Sequence, residues 1–566
     1  MQVDVVVVGA GASGLVASTL LAKEGRRVAL VERHPYLGGR AMERRFRGHQ
    51  LGLGSHLVED PGDSLGRVCD AIGVPLEPSG RSDSMPFWDG SGWRPVQELY
   101  ANASKEGVKR CIKALTDTPY EDLERWDHAS LREWMAQHTS DEGVYRMWEA
   151  ISVLEQITLR PWEHSASENL FTRKLHYERQ HTAGYSFWPL GGWEALWGRM
   201  GDALERLGGT LRQPAGVERV LVEDGEVRGV RLDDGEVIEA REVVATAPVW
   251  ELPGLFGEDD LPWDLRRRID LLARDGNRAC WLGYWIAARE PVIALSEREM
   301  AAFDSTPRTG LPGFTLNFTG YDPGVSPPGE YLTCVGAAFD AVDHYGDRGF
   351  YERALHDLWL DIEEMLPAAR GALWKKPHLV TTYGVICKPG QVGAVRPDVI
   401  VRGIGGLYLA GDTTRARGIG IDKAVRTGSR RSRPRSAAGF PPSPTRSVTE
   451  IVAGPVPSSW EVDPGRVRTF ALRDGVWQLR MPLPWHDVDH VNVYVLERED
   501  GIVLVDCGSA GHETLREALV RGLAATGHRV EEVRVLACTH THSDHVGQAQ
   551  WVVAASGCEL LLHRAH

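Results

Sequence analysis

Apolar runs that do not alternate with polar residues mark strands buried on both faces, and the chain opens with one, Val5-Val6-Val7-Val8. A helix is predicted over 15–23, and a second uniformly apolar run, Val28-Ala29-Leu30-Val31, ends in Glu32. Strand, helix and strand in that order predict a βαβ unit. Residues 75–188 change character, with helical periodicity over 123–137 and 143–154 and recurring tryptophans (Trp88, Trp93, Trp126, Trp134, Trp148, Trp162). Such large aromatics belong first to cores, and in an inserted segment some could line an apolar pocket. A helix over 193–207 stops at Gly208-Gly209, and strands follow at 217–222, 226–232 and 243–247, with Asp224-Gly225 and Asp234-Gly235 as hairpin turns. Residues 253–393 are mixed: strands over 280–286 and 331–338, and a helix over 351–365. The run Leu407-Tyr408-Leu409-Ala410 then delivers Gly411-Asp412 onto a helix that reaches Gly428.

The turn after the first strand carries the first chemistry. Gly9 permits a tight turn, Gly11 lets backbone N–H groups approach a pyrophosphate, and Gly14 lets helix and strand pack closely, so the helix N-terminus faces the phosphate charge. Glu32, eighteen residues past Gly14, stands where a carboxylate accepts hydrogen bonds from a ribose. Gly38-Gly39-Arg40 offers a second close approach, now with a cation beside it. These features resemble the flavoprotein superfamily that includes amine oxidases, protoporphyrinogen oxidase and phytoene desaturases. The resemblance covers roughly residues 1 to 428 and implies FAD, held by Gly9, Gly11, Gly14, Glu32, Gly38, Gly39, Arg40, Gly411 and Asp412. It also implies a backbone contact from Val217 to the adenine, and first helical N–H groups, at Ile421, facing the flavin O2. The glycine-rich stretch 48–56 resembles the segment that passes near the flavin, so His56 is a candidate to face the ring, or else a hydrogen-bonded loop histidine.

Composition bounds the rest. A chain of 566 residues exceeds one core, so several domains are expected. A formal charge of −14 argues against a general nucleic-acid partner, and no apolar run reaches the length of a membrane span. The first strand begins at the N-terminus, leaving no room for a signal peptide, so a cytoplasmic location is the default, with peripheral membrane contact left open. Eight scattered cysteines form no C-x-x-C pair, which counts against a redox-active dithiol.

Proline and arginine crowd 429–446, a composition that predicts a disordered linker over 429–459. Where this break falls, the flavoprotein pattern usually continues its helix, so the reading frame is expected to join two neighbouring genes imperfectly. Strands predicted at 476–480, 492–496, 502–505 and 533–538 then lead to Thr539-His540-Thr541-His542-Ser543-Asp544-His545. Two ligand clusters are suggested, His540 with His542 and Asp544 with His545. The tract resembles the metallo-β-lactamase superfamily, which implies zinc. Because the chain stops before the later ligands of that superfamily, the site is expected to be incomplete, to bind zinc weakly, and not to hydrolyse.

The expected fold is α/β: a Rossmann-type FAD-binding domain (1–74, 189–252, 394–428) with an inserted α+β substrate domain (75–188, 253–393), a linker, and a partial metallo-β-lactamase-like αβ sandwich (460–566). A single nucleotide-binding fingerprint implies that the substrate itself is the reductant. The expected reaction is hydride transfer from a small apolar molecule to flavin, with dioxygen or a quinone as acceptor and no assignable catalytic acid or base. Arg415 and Arg417, where amine oxidases carry aromatics, leave open an acidic substrate and an amine or amino-acid oxidase. Zinc-dependent hydrolysis by the C-terminal part is the alternative from another class.

Overall fold

The computed structural model describes all residues except 55–63, 81–84, 157–163, 179–186, 258–259, 274–277, 294–299, 340–345, 386, 419, 432–464, 466, 484–489, 510–512, 540–542 and 563–566. The chain divides into two compact units, Met1–Pro441 and Pro442–His566.

In the first unit a five-stranded parallel sheet runs in the spatial order Leu407–Leu409, Glu242–Ala245, Val5–Val8, Val28–Val31, Thr210–Arg212. The uniformly apolar runs are explained by what lies on each face. Val5, Val7, Val28 and Leu30 pack into a core with the opening helix Ala12–Lys23, whereas Val6, Val8, Ala29 and Val31 pack into a second core on the opposite face. That second core contains the three-stranded antiparallel sheet Val217–Glu223, Glu226–Leu232, Val237–Glu239. The opening helix also packs on the closing helix Gly420–Arg431 so closely that a Cβ on Gly428 would stand 2.6 Å from the Ser13 carbonyl.

A seven-stranded sheet forms the other layer, in the order Trp374–Val385, Arg278–Ala288, Tyr331–Phe339, Gly313–Asn317, Met300–Phe303, Pro86–Trp88, Trp93–Pro95. Its pairings are antiparallel except between Met300–Phe303 and Pro86–Trp88. Helix Arg348–Met365 packs against it, and helices between 105 and 178 share a separate core around Trp134 and Trp148. Trp88, Trp134 and Trp148 are buried in these cores, as the core reading of the aromatics expects, while Trp162 lies outside the described residues.

The helix predicted over 123–137 is broken. Tyr120–Trp126 is a 3-10 turn and a new helix, Leu131–Ala136, starts at Ser130, whose hydroxyl accepts from Glu133 N while Glu133 accepts from Ser130 N. That reciprocal cap is a helix start written inside an apolar period. Only residues 429–431 of the expected linker are described, and they continue the closing helix.

The second unit is one six-stranded sheet, Arg468–Arg473, Val476–Pro482, His490–Arg498, Gly501–Val505, Val533–Cys538, Glu559–Leu562, antiparallel through the first four and parallel thereafter. Helices Glu513–Ala524 and Ala549–Ser556 contribute to its core. Among the described residues no helix is long and apolar enough to cross a membrane.

Candidate functional site

At the C-terminal edge of the parallel sheet the glycine turn has three different steric demands. Gly9 is left-handed (φ 96°), and a Cβ there would meet Thr246 Oγ1 at 2.7 Å. A Cβ on Gly14 would stand 1.9 Å from the Gly9 carbonyl, so this position is closed by the protein itself. Gly11 differs: its φ is an ordinary −72°, and a Cβ there would meet nothing within 4 Å. Gly11 caps the opening helix without a side-chain hydrogen bond, and no acidic residue occupies the first turn. The helix N-terminus thus presents amides and a positive dipole end to open space, a fit for a phosphate anion.

Glu32 lies beside this turn, 6 % exposed. Its Oε2 accepts from Ala10 N at 2.7 Å and its Oε1 from His34 N at 2.9 Å, which leaves each oxygen a further acceptor position. The Glu32 carbonyl accepts from Ala215 N at 2.7 Å, so the entry to the strand that starts at Val217 runs alongside. Gly38 N donates to the Ala10 carbonyl at 2.8 Å, and a Cβ on Gly39 would stand 3.2 Å from Gly11 Cα. The two glycine segments predicted from sequence therefore lie against each other.

Arg40 and Asp412 meet across 372 positions of chain. Arg40 Nη1 donates to Asp412 Oδ2 at 3.1 Å and Nη2 to Oδ1, the two-pronged geometry a guanidinium makes with a carboxylate. Burial alone would raise the Asp412 carboxyl, but the charges of Arg40, Arg396 and Lys423 outweigh it and hold the group below its usual range. Gly411 N donates to Thr427 Oγ1 at 2.8 Å, fixing this turn on the closing helix, in which Ile421 is 6 % exposed.

Sequence reasoning missed a buried charge cluster next to Asp412. Glu168, fully buried on helix Ala166–Glu178, accepts from Arg417 Nη1 at 3.2 Å and from Gly418 N at 3.0 Å. Arg417 Nη1 also lies 2.8 Å from Asp127 Oδ1. Arg415 is bound at 3.0 Å to Glu124 and at 3.3 Å to Asp398. Arg396, buried, donates to the Gln391 carbonyl at 2.9 Å and to the Asp412 carbonyl at 2.6 Å. Burial opposes ionisation of Glu168, yet Lys423, Arg417 and Arg396 hold it below the ordinary carboxylate range. Nothing local in the sequence ties Glu124, Asp127 or Glu168 to this place.

In the second unit the loop after Val533–Cys538 is organised by Asp506, which sequence reasoning passed over. Asp506 is buried and left-handed (φ 62°), and its carboxylate accepts from Thr539 N at 2.7 Å and lies 2.8 Å from His545 Nδ1. His545 Nε2 stands 3.3 Å from Asp544 Oδ2. His56, His540 and His542 lie outside the described residues. Among the described residues no group of three or more His, Cys, Asp or Glu is placed to hold a metal ion. Zinc is bound by three or four protein ligands, and of the four residues predicted here the described ones are Asp544 and His545, which stand side by side.

Residues 12–433 match the family described as Flavin containing amine oxidoreductase, and the chain belongs to this family of FAD-dependent oxidoreductases. Residues 486–566 match the Metallo-beta-lactamase superfamily. Relatives include a phytoene desaturase (neurosporene-forming) of Cereibacter sphaeroides, 26% identical over 43% of this chain and 52% of that protein. An all-trans-zeta-carotene desaturase of Myxococcus xanthus is 26% identical over 48% of this chain and 56% of its own length. The chain thus spans about half the length of these curated relatives. A putrescine oxidase of Kocuria rosea is 29% identical over 25% of this chain and 32% of its own. Among solved structures, an oxidoreductase from Methanosarcina mazei superposes with a TM-score of 0.62 at 20% identity, covering 76% of this chain and 99% of that one, and shares the fold.

Proposed function

We propose that the protein oxidises a small apolar organic molecule by hydride transfer to bound FAD, with carbon–carbon desaturation as the reaction type. Bound FAD would supply the hydride acceptor, and dioxygen or a quinone would reoxidise it. In this reading Gly9, Gly11 and Gly14 admit the pyrophosphate to the helix N-terminus, Glu32 accepts from the adenine ribose, and the Val217 backbone borders the adenine. Gly38, Gly39, Arg40, Gly411 and Asp412 hold the middle of the cofactor, and the backbone at Ile421 faces the flavin. These residues position the ring and exclude water, which is most of what hydride transfer requires of a protein.

The observation that carries the apolar reading is the state of Arg415 and Arg417. Both are bound to carboxylates of this chain, Arg415 to Glu124 and Asp398 and Arg417 to Asp127 and Glu168. Arg415 is thereby engaged on both sides, and Arg417 is engaged through Nη1 while its buried Nη2 keeps no hydrogen bond, which weighs against an acidic substrate most strongly at Arg415. The two desaturases among the relatives agree in class. The test is anaerobic: the purified flavoprotein is mixed with polyenes, amines and hydroxy acids, and flavin absorbance is followed. Bleaching by a polyene supports the proposal, whereas bleaching by an amine or a hydroxy acid alone would overturn it.

A further inference from the structure

An ammonium group removed from water without a hydrogen-bond acceptor is strongly unfavourable, so an acceptor is expected when the working molecule is complete. Lys423 is in that position: it is 1 % exposed, and its Nζ makes no hydrogen bond. It lies in the first turn of helix Gly420–Arg431, four residues before Thr427, so the two side chains share a face. Thr427 Oγ1 accepts from Gly411 N at 2.8 Å and donates to the Lys423 carbonyl at 3.1 Å, which turns that face toward Gly411 and Asp412.

The charged surroundings do not complete the lysine. Its main electrostatic neighbours are Arg396, Glu168, Cys387 and Asp412. Glu168 is bound by Arg417 and Gly418 N, and Asp412 by Arg40. Burial, reinforced by Arg396, pushes Lys423 down to about 8, so below that pH a buried ammonium remains without a hydrogen-bond acceptor. Apart from Asp412, these neighbours belong to helix Ala166–Glu178 and to 387–396, beyond the parallel sheet. The pyrophosphate end is marked instead by the Gly9–Gly14 turn, so Lys423 is at the flavin end.

We propose that Lys423 is a cofactor contact whose ammonium donates to the pyrimidine edge of the flavin, at N1 or the C2 carbonyl, and raises its reduction potential. This rests on the FAD reading above. A cation at that edge favours the form of the ring that has gained negative charge on reduction, and so binds reduced flavin more tightly than oxidised.

The experiment compares wild-type holoprotein with Lys423→Met, Lys423→Gln and Lys423→Arg at pH 7. The readouts are the two-electron midpoint potential of the bound flavin, the Kd for oxidised FAD, and the thermal midpoint of the apoprotein. Lys423→Met is expected to fold, since an apolar chain of similar length replaces a buried cation, and Lys423→Gln serves in its place if it does not. Loss of the charge should weaken reduced flavin about tenfold more than oxidised, a fall of about 30 mV. Lys423→Arg should retain most of the potential. An unchanged potential in both Met and Gln variants would overturn the proposal, leaving a lysine satisfied by water. Equal weakening of both oxidation states would also overturn it, and would move the contact to the pyrophosphate. Wild-type protein that binds no FAD would instead sink the functional reading itself.

Discussion

The two units each place a carboxylate just past the end of a strand with a parallel neighbour, half-buried Asp412 in the first and buried Asp506 in the second, but they assemble what surrounds it differently. In the first, Asp412 is met by Arg40 from 372 positions away, and Glu168, Arg396 and Lys423 converge from three further segments. In the second, Asp506 gathers Thr539 and His545 from just beyond the end of the adjacent strand, and His545 in turn meets Asp544. One site is thus a product of the whole fold and the other of one strand pair. Damage should therefore spread in the first and stay local in the second.

The largest contrast lies inside the glycine turn. Gly11→Val adds carbon into open space at a permissive φ, so the protein should keep its apo thermal midpoint and lose FAD. Gly14→Val drives carbon into the Gly9 carbonyl and should lose both FAD and several degrees of midpoint. Full flavin occupancy in Gly11→Val, read from the absorbance ratio of flavin to protein, would remove the pyrophosphate assignment.

A pH series on apoprotein gives the next effect. Lys423 is charged in the unfolded chain up to about 10.5 but in the fold only up to about 8. The unfolded state thus binds more protons between those values, and stability rises with pH across that window. Relative to Lys423→Met, the wild type should be less stable at pH 7, by up to about 3 kcal/mol, and the gap should close by about pH 10.5. Chemical denaturation at pH 7, 9 and 10.5 checks this, and a constant gap would contradict it.

Asp506→Ala should strip the acceptor from Thr539 N and from His545, a loss of about 1–3 kcal/mol. Hydrogen exchange on the full chain should rise across the second unit near residues 506–546 and stay unchanged in the first. A rise in both units would show that the C-terminal cluster is not local. The smallest effect is expected from Arg415→Ala. Its ion pairs are partly exposed, so stability should fall by about 1 kcal/mol or less, and the apparent affinity for an active substrate should not change. A large rise in KM for an acidic substrate would reverse the apolar reading.

Much of the nucleotide site is legible because its demands are local: a strand buried on both faces leaves an unbroken valine run, and a phosphate turn leaves glycines at set intervals. Gly411-Asp412 was equally visible, being a strand end followed by a helix start. Lys423 and Glu168 were not, because their importance comes from burial beside one another, and neither sits in a pattern that announces burial. Helix 123–137 misled for the opposite reason: its apolar period runs across Ser130, where the hydroxyl and Glu133 restart the backbone. In the second unit the histidine motif is contiguous and plain, whereas Asp506, which orients His545, reads as an ordinary residue at a strand end.

The order of strands in the parallel sheet also sets a schedule. Val5–Val8 is central in that sheet, yet its layer is not closed until Leu407–Leu409 joins the edge and Asp412 reaches Arg40. Its own second partner strand is Glu242–Ala245, with Val5 opposite Glu242, so synthesis at about 5–20 residues per second leaves that edge of the valine strand waiting about 12 to 47 s. During that interval the nascent chain exposes a valine ribbon with one unpaired edge, a binding site for holdase chaperones, and because Asp412 is made later still, cofactor capture becomes a late event in the birth of the protein.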